Sequence, residues 1–357
     1  MRRLAVILLV VTSVFLFGRG AVPCSLIADQ PACLVAFHPG PIRNAFDLIE
    51  IGGATTSESD GELLVTTVLL DHHLSLTEWI DSLLDGGIAT YDRELLFPSG
   101  IDEDEVDRQN ALMMQDSQLD ATLAALRAAG YEVSAEPIGL SIAALASEHR
   151  IGEGDLDVGD LLVSVEGEPV VTIDDIVAVL GGKEPGDTVT VTRRRGDEEP
   201  TSVTVELVES PDEPGRPLIG VLLANVYDLP VDIDIEAGNI GGPSAGLMFA
   251  LSIVDSLLPD DLTSGLVIAG TGTIDQDGLV GPIGGIRQKV LGAIHRSDDG
   301  PAATVFLVPE GNFAEARGAP VDDEILLVPV ASVVDALEAL EQLRAGATPA
   351  RAVAIGG

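Results

Sequence analysis

Two residues far apart in the chain have the types that nucleophilic chemistry needs. Ser244 follows Gly242-Pro243 and opens a run in which Leu247, Ala250, Leu251, Val254 and Leu258 fall on one helical face. Proline fits a first helical turn, so Ser244 stands at a helix N-terminus. Unpaired backbone N–H groups and the positive end of the peptide dipoles are what a developing oxyanion needs there. Taken alone, a serine in that place is more commonly a cap. Lys289 reverses the odds. It lies three residues after Ile286 and four before Ala293, and so points inward with them and Val290. Burial lowers a lysine pKa, and a neutral amine can take the proton of a serine hydroxyl. A lysine snorkelling from the edge of that face is the bland alternative. Lysine occurs only at positions 183 and 289 among 19 basic residues, the rest being arginine, which snorkels equally well but cannot serve as a neutral base.

Around these residues run Gly242-Pro243-Ser244-Ala245-Gly246, then Thr271-Gly272, then Gly281-Pro282-Ile283-Gly284-Gly285-Ile286-Arg287-Gln288-Lys289. In order and spacing these stretches resemble the catalytic domain of the Lon-type serine peptidases, over about residues 218 to 345. The resemblance implies a Ser-Lys dyad with Ser244 as nucleophile and Lys289 as general base, supported by Gly242, Pro243 and Ala245. It implies that Thr271 hydrogen-bonds and orients the amine, and that neither histidine nor aspartate is required. It further implies a ribosomal protein S5 domain 2-like fold, protein or peptide substrates, and homo-oligomers, usually hexamers. One departure stands out. The family carries an acidic residue three positions before the serine, where this chain has Gly241. No GxxxxGK followed by Ser or Thr occurs, since Gly181-Gly182-Lys183-Glu184 fails at its last position, so cleavage without ATP is expected.

The elements that must position the dyad read as strands alternating with helices, an α/β (α+β) domain over 216–345. Before it, 131–210 breaks into short apolar runs separated by Gly and Asp turns, with a helix capped near Thr172. Gly159-Asp160 before an apolar strand and Glu166-Gly167 after it resemble a PDZ domain of the bacterial, protease-associated type. That resemblance implies peptide capture by strand addition, with a carboxylate loop at Gly139, Leu140, Ser141 and Ile142. A spacer that merely positions the next domain is the alternative. The proline-rich PDEPGRP at 211–217 reads as a linker, and 346–357 as a loose tail.

An N-terminal region, 36–130, reads as a turn at Asp60-Gly61, a strand to about Leu70, and a helix over 102–129. Ahead of it, Arg2-Arg3 precede the apolar LAVILLVVTSVFLF. Residues 1–20 therefore read as a signal anchor or signal peptide. The expected placement is a single-pass membrane protein with its catalytic domain outside the cytoplasm, or a secreted protein after cleavage. PDZ segment plus anchor resemble the bacterial membrane-anchored PDZ-Lon proteases. Cys24 and Cys33, both in the exported part, are free to pair or stay as thiols.

With 58 acidic against 19 basic residues the formal charge is −39, so no nucleic-acid partner is expected. At 46% hydrophobic residues and a mean hydropathy of +0.33, the chain has ample core-forming material. His38, His72, His73, His149 and His295 show no metal-ligand spacing, so neither metal nor cofactor is expected. The sequence thus reads as a serine endopeptidase. A non-catalytic PDZ scaffold with a Lon-like oligomerisation domain is the alternative.

Overall fold

The computed structural model describes residues 33–71, 74–84, 87–96, 103–134, 136–145, 156–196, 198–210, 213–238, 240–296 and 300–356. The chain divides into two compact units. The first joins the stretch up to Tyr131 to the stretch from Val231 onward, and the second is Glu132–Pro230.

The first unit begins with β1 (Leu34–Asn44), β2 (Ile49–Gly52), β3 (Glu62–Asp71), α1 (Leu76–Leu84), β4 (Ala89–Asp92) and the long helix α2 (Glu103–Ala128). The second contains β5 (Gly139–Leu145), β6 (Leu161–Val165), β7 (Glu168–Pro169), α3 (Ile173–Leu180), β8 (Thr188–Arg194), β9 (Thr201–Glu206), β10 (Val208–Glu209), β11 (Pro217–Leu218) and β12 (Val221–Val226). The first unit then resumes with β13 (Asp232–Ile235), α4 (Gly246–Leu257), β14 (Val267–Gly270), β15 (Thr273–Ile274), β16 (Val280–Gly281), α5 (Ile286–Ile294), β17 (Val305–Pro309), β18 (Ile325–Val330), α6 (Val333–Arg344) and β19 (Val353–Ile355).

One seven-stranded sheet, ordered β19-β18-β17-β14-β3-β1-β4, carries the first unit. Its centre, β3, β14, β17 and β18, is parallel, and antiparallel strands close both sides. Parallel strands are covered on both faces, which explains their continuous apolar runs. Leu63, Val65, Ile268, Leu307 and Val328 pack with α2, α4 and α6, whereas the alternating Leu64, Ala269, Phe306 and Leu327 pack with Ile286, Val290 and Ala293 of α5. The sheet therefore separates the serine's helix, α4, from the lysine's helix, α5.

The second unit is a sheet ordered β12-β5-β6-β8-β9 with α3 beside it, held by Leu140, Ile142, Leu162, Val165, Ile176, Val189, Val191 and Val205. Thr172 caps α3, as the sequence predicts, and does so in a capping box with Asp175. Glu166 takes φ 52 at the Glu166-Gly167 turn. Its carboxylate accepts from Thr190 N–H at 2.6 Å and Lys183 Nζ at 3.3 Å, so the other lysine serves in a surface ion pair.

Three sequence expectations need correction. The region 36–130 is not separate, because β1 and β3 build the same sheet as β14 and α2 packs against α4. Neither does the expected C-terminal domain start at 216. β12 pairs with β5 along Gly139–Leu145, so the second unit runs to Pro230 and is inserted between α2 and β13. The tail at 346–357 is not loose, for Val353–Ile355 adds to β18 with Ile355 opposite Ile325. In each case a pairing distant in sequence outweighs a local turn or linker signal. Residues 1–20 lie outside the described residues, among which no helix is long and apolar enough to cross a membrane. Cys33 is disulfide-bonded, and the only other cysteine in the sequence, Cys24, lies outside the described residues.

Candidate active site

Gly242 at φ 77 turns the chain into a short helical turn, Pro243–Ala245, which runs on into α4. Glycine tolerates that backbone region freely. No side chain caps the start, so the first N–H groups of the turn keep no intrahelical partner. Ser244 sits half-buried at this end, and Ala245 behind it is buried. Gly242, Pro243 and Ala245 flank Ser244 in this turn.

Lys289 comes from the middle of α5, on the face that carries Ile286, Val290 and Ala293 into the core, and is 2% exposed. Its Nζ lies 2.7 Å from Ser244 Oγ and 2.9 Å from Thr271 Oγ1. Burial lowers its pKa from the ordinary lysine value to about 7. At neutral pH a large share of the side chain is therefore the free amine.

Thr271, fully buried just beyond β14, fixes the third corner. Its hydroxyl donates to Ser244 O at 2.8 Å, and Gly272 N–H donates to the same oxygen at 2.8 Å. Leu247 N–H in turn donates to Gly272 O at 3.1 Å. These bonds tie the Thr271-Gly272 segment to the Pro243–Ala245 turn.

Sequence reading missed two contributors from α2. Asn110 O accepts from Gly242 N–H at 3.1 Å, and Ser117 Oγ donates to Pro243 O at 2.9 Å. Ser117 lies between Met114 and Ala121 on an apolar stripe that continues to Ala124, all buried. A polar residue on an apolar helical face is the signal that singled out Lys289, and it was present here too.

Other predicted positions part from this cluster. Gly139, Leu140, Ser141 and Ile142 form no carboxylate loop but the first half of β5. Leu140 and Ser141 pair with Asn225 and Ala224 on one side and with Leu162 and Leu161 on the other. With both edges paired, that segment cannot accept an added strand. His295 is exposed at the C-terminus of α5, beyond the dyad. His38, Asp71 and Glu78, from β1, β3 and α1, do bring ligand-type atoms within 4.8 Å of one another, a grouping that sequence spacing alone did not show. One Glu78 oxygen is already engaged, accepting from Ser75 N–H at 2.9 Å in a helix cap.

Comparison with known proteins matches residues 224–341 to the Lon protease (S16) C-terminal proteolytic domain. Lon protease 1 of Herpetosiphon aurantiacus is 38% identical over 103 residues, 28% of this chain and 11% of its own length. A Lon protease of Syntrophomonas wolfei is 26% identical over 309 residues, 84% of this chain and 36% of its own. The chain thus spans only a minor part of these relatives. Among solved structures, the PDZ domain of an SdrC-like protein from Listeria monocytogenes aligns at 22% identity and a TM-score of 0.22, covering 26% of this chain and 93% of that domain. The matched stretch contains the serine, the threonine and the lysine but leaves out β1, β3 and α2, which complete the sheet and brace the serine. Residues 224–341, which include Ser244, Thr271 and Lys289, are thus similar to the proteolytic domain of Lon (S16) proteases.

Proposed function

We propose that this chain is a serine endopeptidase that hydrolyses protein or peptide substrates through a Ser244–Lys289 dyad. One observation carries the reading: Lys289 Nζ lies 2.7 Å from Ser244 Oγ in a setting that keeps the amine at a pKa of about 7. The neutral amine takes the hydroxyl proton as Oγ bonds to the peptide carbonyl carbon. N–H groups at the open start of the helical turn receive the oxyanion. The resulting ammonium protonates the departing amine, and Lys289 then deprotonates the water that releases the acyl group. Cleavage is proposed to need no ATP, since the sequence carries no nucleotide-binding loop.

The apolar segment behind Arg2-Arg3 supports a membrane anchor with the catalytic unit outside the cytoplasm, or a secreted form after cleavage. The second unit is proposed to present or gate substrate by a face other than the first half of β5. Oligomers, hexamers by family resemblance, complete the reading.

A serine-reactive fluorophosphonate and a casein-cleavage assay test it together. Wild-type protein is labelled and cleaves casein without ATP; Ser244→Ala is neither labelled nor active, and Lys289→Arg is inactive. Undiminished cleavage by either variant overturns the mechanism.

A further inference from the structure

We propose that Ser117 of α2 is a positioning residue for the oxyanion site, acting through the peptide bond between Pro243 and Ser244. The inference rests on the peptidase reading above and adds to it a residue outside the matched family domain.

Ser117 is 2% exposed, and its hydroxyl donates to Pro243 O at 2.9 Å. The same oxygen accepts from Gly246 N–H. Pro243 C=O and Ser244 N–H belong to one planar unit, and since the described peptide bonds include no cis form, the two groups point in opposite directions. Holding the carbonyl toward α2 therefore aims the nucleophile's own N–H away from α2, at the open end of the turn. Thr271 Oγ1 and Gly272 N–H do the same for the next peptide, gripping Ser244 O and so orienting Ala245 N–H. Consecutive peptide planes are thus fixed from two elements distant in sequence. An oxyanion donor contributes only if it is aimed before charge develops, because reorienting it during reaction costs what the contact gains.

The contact is also tight. A Cβ on Gly246 would lie 2.6 Å from Ser117 Oγ, so the helix start and α2 approach at a distance that only glycine allows. α2 directly precedes the inserted unit, and β13, which directly follows it, leads into the nucleophile turn. Gln118 Nε2 donates to Ile235 O at 3.0 Å, so α2 grips that strand as well.

The test compares full-length wild type, Ser117→Ala and Ser117→Thr with a fluorogenic peptide and a peptide boronate, whose tetrahedral adduct places a negative oxygen at the oxyanion position. Ser117→Ala is expected to lower kcat about 10- to 100-fold at nearly constant KM. Boronate affinity falls by a similar factor, while the pH midpoint set by Lys289 stays in place. Ser117→Thr, which keeps the hydroxyl, recovers most of the loss. Kinetics and boronate affinity of Ser117→Ala within about twofold of wild type overturn the inference, as does a shift of the pH midpoint in step with the loss or an absence of recovery by threonine. If wild type cleaves nothing, the peptidase reading falls and this inference with it; an active wild type with an unaffected alanine variant sinks the inference alone.

Discussion

The hydroxyl of Thr271 gives its single proton to the carbonyl oxygen of Ser244, 2.8 Å away, and not to Lys289. Its oxygen can therefore only accept from the lysine, 2.9 Å distant. In the neutral amine this commits one N–H toward Thr271 and leaves the lone pair available to Ser244 Oγ.

Thr271→Val removes that direction without changing the side-chain outline. It leaves a buried amine short of a partner, a loss of about 1–3 kcal/mol. We expect kcat to fall about 10- to 100-fold, with Thr271→Ser close to wild type. Equal activity of the valine and serine variants in steady-state assays contradicts the orienting role.

The acidity of Lys289 sets the pH profile. Its folded-state pKa of about 7 means that the ammonium, unable to accept a proton, predominates below neutrality, so kcat/KM rises through a midpoint of about 7 and levels above it. Stability follows the same direction. An unfolded lysine holds its proton to about pH 10.4, so between the two values the unfolded state binds more protons and stability rises with pH. Lys289→Met abolishes cleavage and raises the melting temperature, more at pH 6 than at pH 9. A methionine variant that melts lower than wild type at pH 6 contradicts burial as the cause.

Gly246→Ala reports on the contact between α2 and the turn that carries Ser244. Its Cβ would meet Ser117 Oγ at 2.6 Å and Ile274 Cγ2 at 2.7 Å, both in packed surroundings. Overpacking of this kind costs about 1–3 kcal/mol. The variant should melt lower and lose kcat much as Ser117→Ala does. Combining the two substitutions should cost less in stability than their separate effects added, because alanine at 117 vacates the space; strict additivity in thermal melts would place the clash elsewhere.

In the second unit, Asp160 is fully buried and bonded by Arg195 Nε at 2.7 Å and Nη2 at 2.8 Å, with Arg193 Nε at 3.4 Å. Burial pushes its carboxyl up, but the bonds from Arg195 and from Asp157 N–H, with the two guanidinium charges, outweigh burial and hold it below the ordinary carboxylate range. A lowered folded-state pKa contributes stability that is present above the unfolded value and is lost as pH falls through the folded one. Arg195→Ala should lower the stability of that unit near pH 7 and flatten the acid side of its stability curve. Unchanged acid unfolding, followed by tryptophan-independent far-UV circular dichroism, contradicts this.

The sequence by itself determined what depends on neighbours along the chain. Gly242-Pro243 before Ser244 specifies a helix start because glycine permits the turn and proline presets the next dihedral. Lys289 is legible because a 3.6-residue period places it with Ile286, Val290 and Ala293 whatever the rest of the fold does. Thr172 and Asp175 announce their capping box three residues apart. Only the tertiary structure decided that α4 and α5, on opposite faces of one sheet, bring Ser244 and Lys289 to 2.7 Å. It alone assigned β12 to the second unit, turned Gly139–Ile142 from a loop into a doubly paired strand, and set Ser117 of α2 against Pro243. These pairs are not neighbours along the chain: Ser244 and Lys289 are 45 positions apart, and Ser117 and Pro243 are 126 apart, across the inserted unit. Periodicity and dihedral preference carry no information about such pairs; burial of both faces of the sheet selects them.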